Sequence, residues 1–275
     1  MSESTYLPPI ADSLEALAAG RRLKQRTMIV AAHPDDETLG MGSRLRLLEN
    51  ALLVHVTDGA PRDGGDAHNY GFASCAEYAA ARSAELAAAL AAGEAGHLRR
   101  EHFDIADQQA VRNLVALAAD LAELIADERP AVIFTHAYEG GHPDHDAAAF
   151  AVHAARRKLK ADGKRAPDIV EFALYSRIGG PLADFAPGGP PTTTVVLDAD
   201  ERHRKRAMIA CFATQRGVLA ELDPGIERFR AAPDYDFTAP PPTGATGYDH
   251  MGWGIDGPGW RHEAAAALQA LGLTR

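Results

Sequence analysis

The chain reads as an α/β protein with a mostly parallel sheet and helices on both faces, and three observations predict this. Short apolar runs alternate with segments of helical spacing, the pattern of strands joined by helical crossovers. The runs are apolar throughout rather than every second residue, as in strands covered on both faces. Gly, Pro and Asp gather in the turns between them.

The elements follow in order. Ala11 to Gly20 reads as a short helix with Leu14, Leu17 and Ala18 at helical spacing. Thr27 to Ala32 (TMIVAA) is a buried strand, interrupted by His33-Pro34-Asp35-Asp36. Glu37 to Asn50 then resumes as a helix. Leu52 to Thr57 is a second strand ending in the turn Asp58-Gly59, and Ala60 to Gly71 is a loop over the sheet's end. Helices are expected over Ala76 to Ala92 and Gln108 to Glu128, with Pro130 as the stop. Ala131 to His136 (AVIFTH) is the next strand. Ala137 to Gly141 leads into a helix from Pro143 to about Lys160, with Pro in the first turn where its missing N–H costs nothing. Strands are expected at Ile169 to Tyr175 and Thr193 to Leu197, separated by a Pro/Gly-rich loop from Gly179 to Pro191. A helix covers Ala199 to Gln215. No internal repeat or domain boundary is visible, so residues 1–275 are expected to form a single domain with a Pro/Gly-rich C-terminal tail from about Asp223.

A chain of 275 residues can bury a large core without disulfide help, and 46% hydrophobic with 24% charged residues is ordinary globular composition. A net charge of -10 excludes a nucleic-acid partner, which needs a basic face. The densest basic stretch, Arg156-Arg157-Lys158-Leu159-Lys160, reads as the solvated end of a helix rather than a contact for an anionic partner. Cys75 and Cys211 are too sparse for a disulfide framework and fit a reducing compartment. Met1-Ser2-Glu3-Ser4 does not start a secretory signal, and no apolar run reaches the roughly 20 residues of a membrane span. The expectation is a cytoplasmic protein, with homo-oligomerisation left open.

Two His/Asp clusters carry chemistry: Ala32-His33-Pro34-Asp35-Asp36-Glu37 directly after a strand, and His142-Pro143-Asp144-His145-Asp146 opening a helix. Both fall at the carboxyl ends of strands, where open parallel sheets bind ligands. A lone His-Pro-Asp would be an ordinary turn, but two such clusters point to a divalent metal held by imidazole and carboxylate, with an open position for water. Of Asp35 and Asp36, one can bind metal while its neighbour serves as general base. Of His142 and His145, one can ligate while the other faces the reacting carbonyl oxygen. The remaining histidines show no ligand spacing, although His136 lies near the second cluster. Gly40-Met41-Gly42 after a strand only weakly matches a dinucleotide fingerprint, because Leu45 stands where the third glycine belongs.

The paired motifs resemble the PIG-L (LmbE-like) deacetylase superfamily over roughly residues 27 to 215, with weaker likeness at Thr57-Asp58-Gly59, Arg82 with Glu85, and Asp107. The resemblance implies a Rossmann-like fold and zinc-dependent removal of an acetyl or other acyl group from the nitrogen of N-acetylglucosamine-type conjugates. It makes His33, Asp36 and His145 the metal ligands, for one Zn2+ per chain, with Fe2+ or Co2+ able to take the same ligands. It makes Asp35 the base, His142 the group that steadies the oxyanion or protonates the leaving amine, and Asp144 the carboxylate that orients His142. The chain departs from the family in having Gly40-Met41-Gly42-Ser43-Arg44 where relatives often have three glycines. Phe212-Ala213-Thr214-Gln215 replaces a His-x-Ser-Gln pattern, and Gly140 stands where some relatives have Tyr, with Tyr138 as a candidate substitute.

The expected partner is a small N-acyl sugar conjugate. Asp58, Arg62, Asp63, Arg82 and Asp107 are candidate contacts to its hydroxyls, Arg82 having a Glu85 ion pair as its alternative. Trp253 and Trp260 can stack on a sugar ring or anchor the tail. Two other readings are an amidase of the same superfamily acting on a thiol conjugate or secondary-metabolite amide, and a metal-bearing sugar-binding protein without turnover. The presence of Asp35 argues against the second.

Overall fold

A computed structural model describes residues 10–174, 184–219 and 225–274. Seven strands are β1 (Leu23–Ala31), β2 (Leu48–Pro61), β3 (Arg99–Asp107), β4 (Val132–His136), β5 (Asp168–Phe172), β6 (Thr193–Val196) and β7 (Ile226–Ala231). The helices are α1 (Ile10–Ala18), α2 (Asp36–Leu45), α3 (Gly65–Asn69), α4 (Cys75–Ala92), α5 (Leu114–Glu128), α6 (Pro143–Ala161), α7 (Ala199–Ile209), α8 (Arg216–Leu219) and α9 (Gly257–Ala270).

The strands form one sheet in the order β3-β2-β1-β4-β5-β7-β6. β1 pairs in parallel with both β2 and β4, β2 with β3, and β4 with β5. β7 runs antiparallel to β5 and β6. The chain winds outward through β2 and β3, then returns to the other side of β1 as β4. Strand order therefore reverses between β1 and β4, and a crevice opens there at the carboxyl ends.

Alternation along β1 explains the two-sided core. Met28 and Val30 pack with Leu117, Phe150 and Trp260 on the face covered by α5, α6 and α9. Ile29 packs with Leu45, Leu86, Phe134 and Met208 on the face covered by α1, α2, α4 and α7. Caps fix where helices begin. Ser74 accepts from Glu77 N at α4, Asp198 and Glu201 form a capping box at α7, and His142 caps α6 ahead of Pro143.

Four expectations are corrected. The helix expected to reach Asn50 ends at Leu45, because Leu48 begins β2 and Leu23 pairs with it across the sheet. β3 lay unmarked, since its residues, RREHFDIAD, are largely polar and sit at a half-exposed sheet edge. The helix expected from Gln108 begins as a 3-10 turn over Ala110–Asn113. The tail contributes β7 and α9, and Trp260 of α9 is fully buried against Tyr138, Phe150 and Phe237. The part of the Gly179–Pro191 loop before residue 184, Tyr175, the N-terminal nine residues and Asp223 lie outside the described residues.

Candidate metal centre

The first cluster begins where β1 stops. Ala32 is tied on both sides: its N–H donates to His136 Nε2 (2.9 Å), and its carbonyl accepts from Thr57 N and Oγ1. The turn then folds back, so that the Asp36 carboxylate accepts from His33 N (2.8 Å). Asp35 adopts φ 152°, ψ -27°, a conformation that costs a non-glycine residue on the order of 1–3 kcal/mol and clusters at functional sites.

Arg82 of α4 holds that conformation. Its buried guanidinium donates to Asp35 Oδ2 (3.1 Å), Pro34 O (3.1 Å) and Gly59 O (2.9 Å). Arg82 lines a cavity beside Asp35 and is not paired with Glu85, which instead accepts from Thr214 N and Oγ1. Burial pushes the Asp35 carboxyl up to about 8, against the pull of Arg82 and with Asp36 adding repulsion.

Asp36 is the carboxylate on which the buried histidines converge. Its Oδ2 lies 3.2 Å from His33 Nδ1 and its Oδ1 lies 3.2 Å from His145 Nε2, all three side chains being buried. Although burial opposes it, His145, His136 and His33 hold the Asp36 carboxyl well below the usual range. Burial pulls the His33 imidazole down, but Asp107 and Asp36 outweigh it and carry it well above its ordinary value. Burial takes His145 down to about 4.

Three triples of donor atoms converge within 4.8 Å: His33–His142–His145, Asp36–His136–His145 and His33–Asp107–Asp144. Hydrogen bonding separates ligands from supports. The lone pair of His136 Nε2 is used by Ala32 N–H, and the ring stacks on His145 at 4.2 Å. His142 Nδ1 accepts from Asp144 N (3.2 Å), which leaves the proton on Nε2 and makes that atom a donor. The donor atoms of His33, Asp36 and His145 instead face one another and the cluster's carboxylates. Two imidazoles and a carboxylate, with a protonated His33 standing where a cation would, fit a zinc-like ion. Those three residues would hold it.

Asp144 does not orient His142 with its carboxylate. Its oxygens accept from Gln108 N (2.6 Å) and Ala110 N (3.0 Å), and Oδ2 lies 3.3 Å from His33 Nε2. It is the Asp144 backbone N–H that fixes His142, because the first turn of α6 points its free amides at the cap. The carboxylate braces His33 instead, alongside Asp107 at 3.1 Å.

These groups open into a cavity of about 680 Å³ bounded by Asp63, Asp66, Asp107, Gln215, Met251 and Trp253, among others. Asp107 lines it. Asp58 and Arg62 do not: they pair with each other at 2.5 Å beside the cavity. Trp253 packs its ring 4.5 Å from that of His142, whereas Trp260 is core, donating Nε1–H to Pro143 O. Tyr138 stacks on Trp260 and donates to Ala239 O, so it does not replace the missing tyrosine at Gly140. Gly140, at φ +71°, lets the tail close in: a Cβ there would lie 2.8 Å from Ala245 O. Asp66 and Met251 carried no signal in the sequence, being ordinary residues outside any motif, whereas Gln215 is the glutamine retained from the His-x-Ser-Gln pattern and donates to Tyr78 Oη.

Residues 28–156 match the family described as PIG-L: GlcNAc-PI de-N-acetylase. A relative from Tsukamurella paurometabola, 1D-myo-inositol 2-acetamido-2-deoxy-alpha-D-glucopyranoside deacetylase, is 30% identical over 192 residues, covering 58% of this chain and 64% of the relative. The chain thus spans under two thirds of that relative's length. Solved structures share the fold. The zinc inhibited form of teicoplanin deacetylase Orf2 superposes with a TM-score of 0.57 at 16% identity, over 76% of this chain and 100% of that one. The A40926 pseudoaglycone deacetylase Dbv21 gives 0.58 at 21% identity, over 76% and 97%. GalB, a 4-carboxy-2-hydroxymuconate hydratase from Pseudomonas putida KT2440, gives 0.52 at 18% identity, over 77% and 98%.

Proposed function

We propose that the chain is a member of the PIG-L (LmbE-like) superfamily and a zinc-dependent hydrolase that removes an acetyl or other acyl group from the amide nitrogen of an N-acetylglucosamine-type conjugate. The observation that carries this reading is Asp35, held in a strained conformation by Arg82 beside the His33, Asp36 and His145 donors. A strained, buried carboxylate at the mouth of a cavity is otherwise a pure cost to stability.

Zinc, when bound, supplies Lewis acidity toward the amide carbonyl and lowers the pKa of water toward about 7. The chain's own residues do the rest. Asp35 accepts the proton of the attacking water, and its raised affinity for that proton suits a base working near neutrality. His142 offers its Nε2–H to the carbonyl oxygen as charge develops there, a donor role worth about 10²–10³ in rate. Because Nδ1 of His142 is committed to Asp144 N–H, its ring stays a neutral donor. Asp35 is then the group that returns the proton to the leaving amine. Asp144 and Asp107 brace His33, and Arg82 braces Asp35.

Among the described residues, no helix is long and apolar enough to cross a membrane. Two free cysteines, Cys75 and Cys211, and the small polar cavity support a cytoplasmic enzyme of small-molecule substrates, acting as one domain whose tail completes the site.

Metal content and acetate release are measured together, on a panel of N-acetylglucosamine conjugates, for the wild type and Asp35→Ala. One metal per chain in both proteins, with turnover only in the wild type, is the expected result. Failure to bind metal after reconstitution with zinc refutes the reading.

A further inference from the structure

We propose that the cavity discriminates by charge: it takes an N-acyl amine whose amine portion is uncharged or carries a second ammonium group, and it rejects one carrying a carboxylate or phosphate. This rests on the deacetylase reading for the reaction and adds the class of substrate. Five carboxylates line the cavity, those of Asp35, Asp36, Asp63, Asp66 and Asp107. The guanidinium among its lining residues is that of Arg82, whose Nη1 and Nη2 donate to Asp35 and to two backbone carbonyls while its Nε has no hydrogen-bond partner among the described residues. Arg62, the nearest further cation in sequence, is turned to Asp58. Even with Asp35 counted as neutral, a divalent ion and Arg82 together offset only three of the other four charges, so the cavity stays negative when loaded.

The outer carboxylates are not there to hold the fold. Among the described residues Asp63 accepts only from Gly65 N, two residues on, and Asp66 has no ion pair. Burial and the nearby charges of Asp107 and Asp63 push the Asp66 carboxyl up, a crowding that an incoming ammonium relieves and an incoming anion worsens. The facing wall is of a different kind. Met251 and Trp253 present thioether and indole surface, and Trp253 rests on His142. An indole accepts the C–H face of a sugar ring or an ammonium, and it repels neither. An acidic rim opposite an aromatic wall is therefore matched to a neutral or cationic amino sugar.

The test uses three N-acetyl hexosamines that differ only at C6, bearing hydroxyl, ammonium or carboxylate. kcat/KM is measured on the zinc-loaded enzyme, and the Kd of the three deacetylated amines by calorimetry. The expected order is ammonium, then hydroxyl, then carboxylate, with at least tenfold between the ends. In Asp63→Asn/Asp66→Asn the span shrinks to about threefold or less. Equal or reversed preference in the wild type, or an unchanged span in the double variant, overturns the proposal. Absence of turnover on all three sinks the deacetylase reading instead, and the order of the Kd values still decides the charge reading.

Discussion

Lys205 offers a sharp test of how the site is braced from behind. It is fully buried on α7, and its ammonium donates to Leu39 O (2.6 Å) and Glu227 Oε1 (2.8 Å). Glu227, on β7, also accepts from Ser43 N (2.8 Å) and Ser43 Oγ (2.6 Å), so α2, α7 and the tail strand meet at one carboxylate. Breaking a buried ion pair costs about 3–5 kcal/mol, because the surviving charge is left without its partner. In Lys205→Met, Glu227 keeps both Ser43 donors and has Arg44 Nε at 3.9 Å, which places the expected loss near the lower end, about 3 kcal/mol. At about 2–4 °C per kcal/mol for a chain somewhat under this size, Tm falls by roughly 6–12 °C. Urea unfolding followed by circular dichroism gives the free energy. Glu227→Gln and the double variant complete a cycle, and the two losses should be less than additive by about 2 kcal/mol. A loss under about 1 kcal/mol for Lys205→Met, or simple additivity, would refute the idea that the pair acts as a unit.

Other expectations follow from the same geometry. His142→Ala lowers kcat by about 10²–10³ while the protein still binds one metal per chain, and loss of metal by mass spectrometry would make His142 a ligand instead. Trp260→Ala removes the fully buried indole that stacks on Tyr138 and donates to Pro143 O, costing about 3–5 kcal/mol in a chemical melt, with Trp260→Phe milder. Glu171 tests the pH dependence of stability. Burial outweighs the attraction of Arg230 and pushes its carboxyl up to about 7 from an ordinary 4.5. A carboxyl whose folded value is raised contributes stability that is whole below the unfolded value and is lost as pH climbs through the folded one. Wild-type stability should therefore decline between about pH 4.5 and 7 more steeply than that of Glu171→Gln, and parallel curves would contradict the assignment.

Much of the site was legible because its parts are local in sequence. His33, Asp35, Asp36, His142 and His145 occupy two short motifs that each follow a strand, and a parallel sheet brings such turns together at one end. What sequence could not supply was the partnership between distant side chains. Arg82 is 47 residues from Asp35, and nothing in an alanine-rich helix says which arginine turns inward. Asp144 was misassigned for a similar reason, since its carboxylate is claimed by amides of Gln108 and Ala110 from a turn that carried no motif. In the fold, apolar strands such as β1 and β4 announced themselves. β3 did not, because an edge strand can be polar, and β7 did not, because IERFRA alternates with charges that are paired inside the protein: Glu227 with Lys205 and Arg230 with Glu171.

The place of β7 in the sheet has a consequence for biosynthesis. It lies between β5 and β6 although it is made after both, and the two earlier strands have no hydrogen-bonded contact with each other. On a ribosome, β5 therefore waits with an open edge until Ala231 has emerged, and β6 waits without any neighbour in the sheet. The wall that carries Trp253 comes later still. A nascent chain halted before that point exposes the kind of unpaired strand edge that recruits other chains. Premature termination before Ala231 should thus yield aggregates rather than a shortened enzyme.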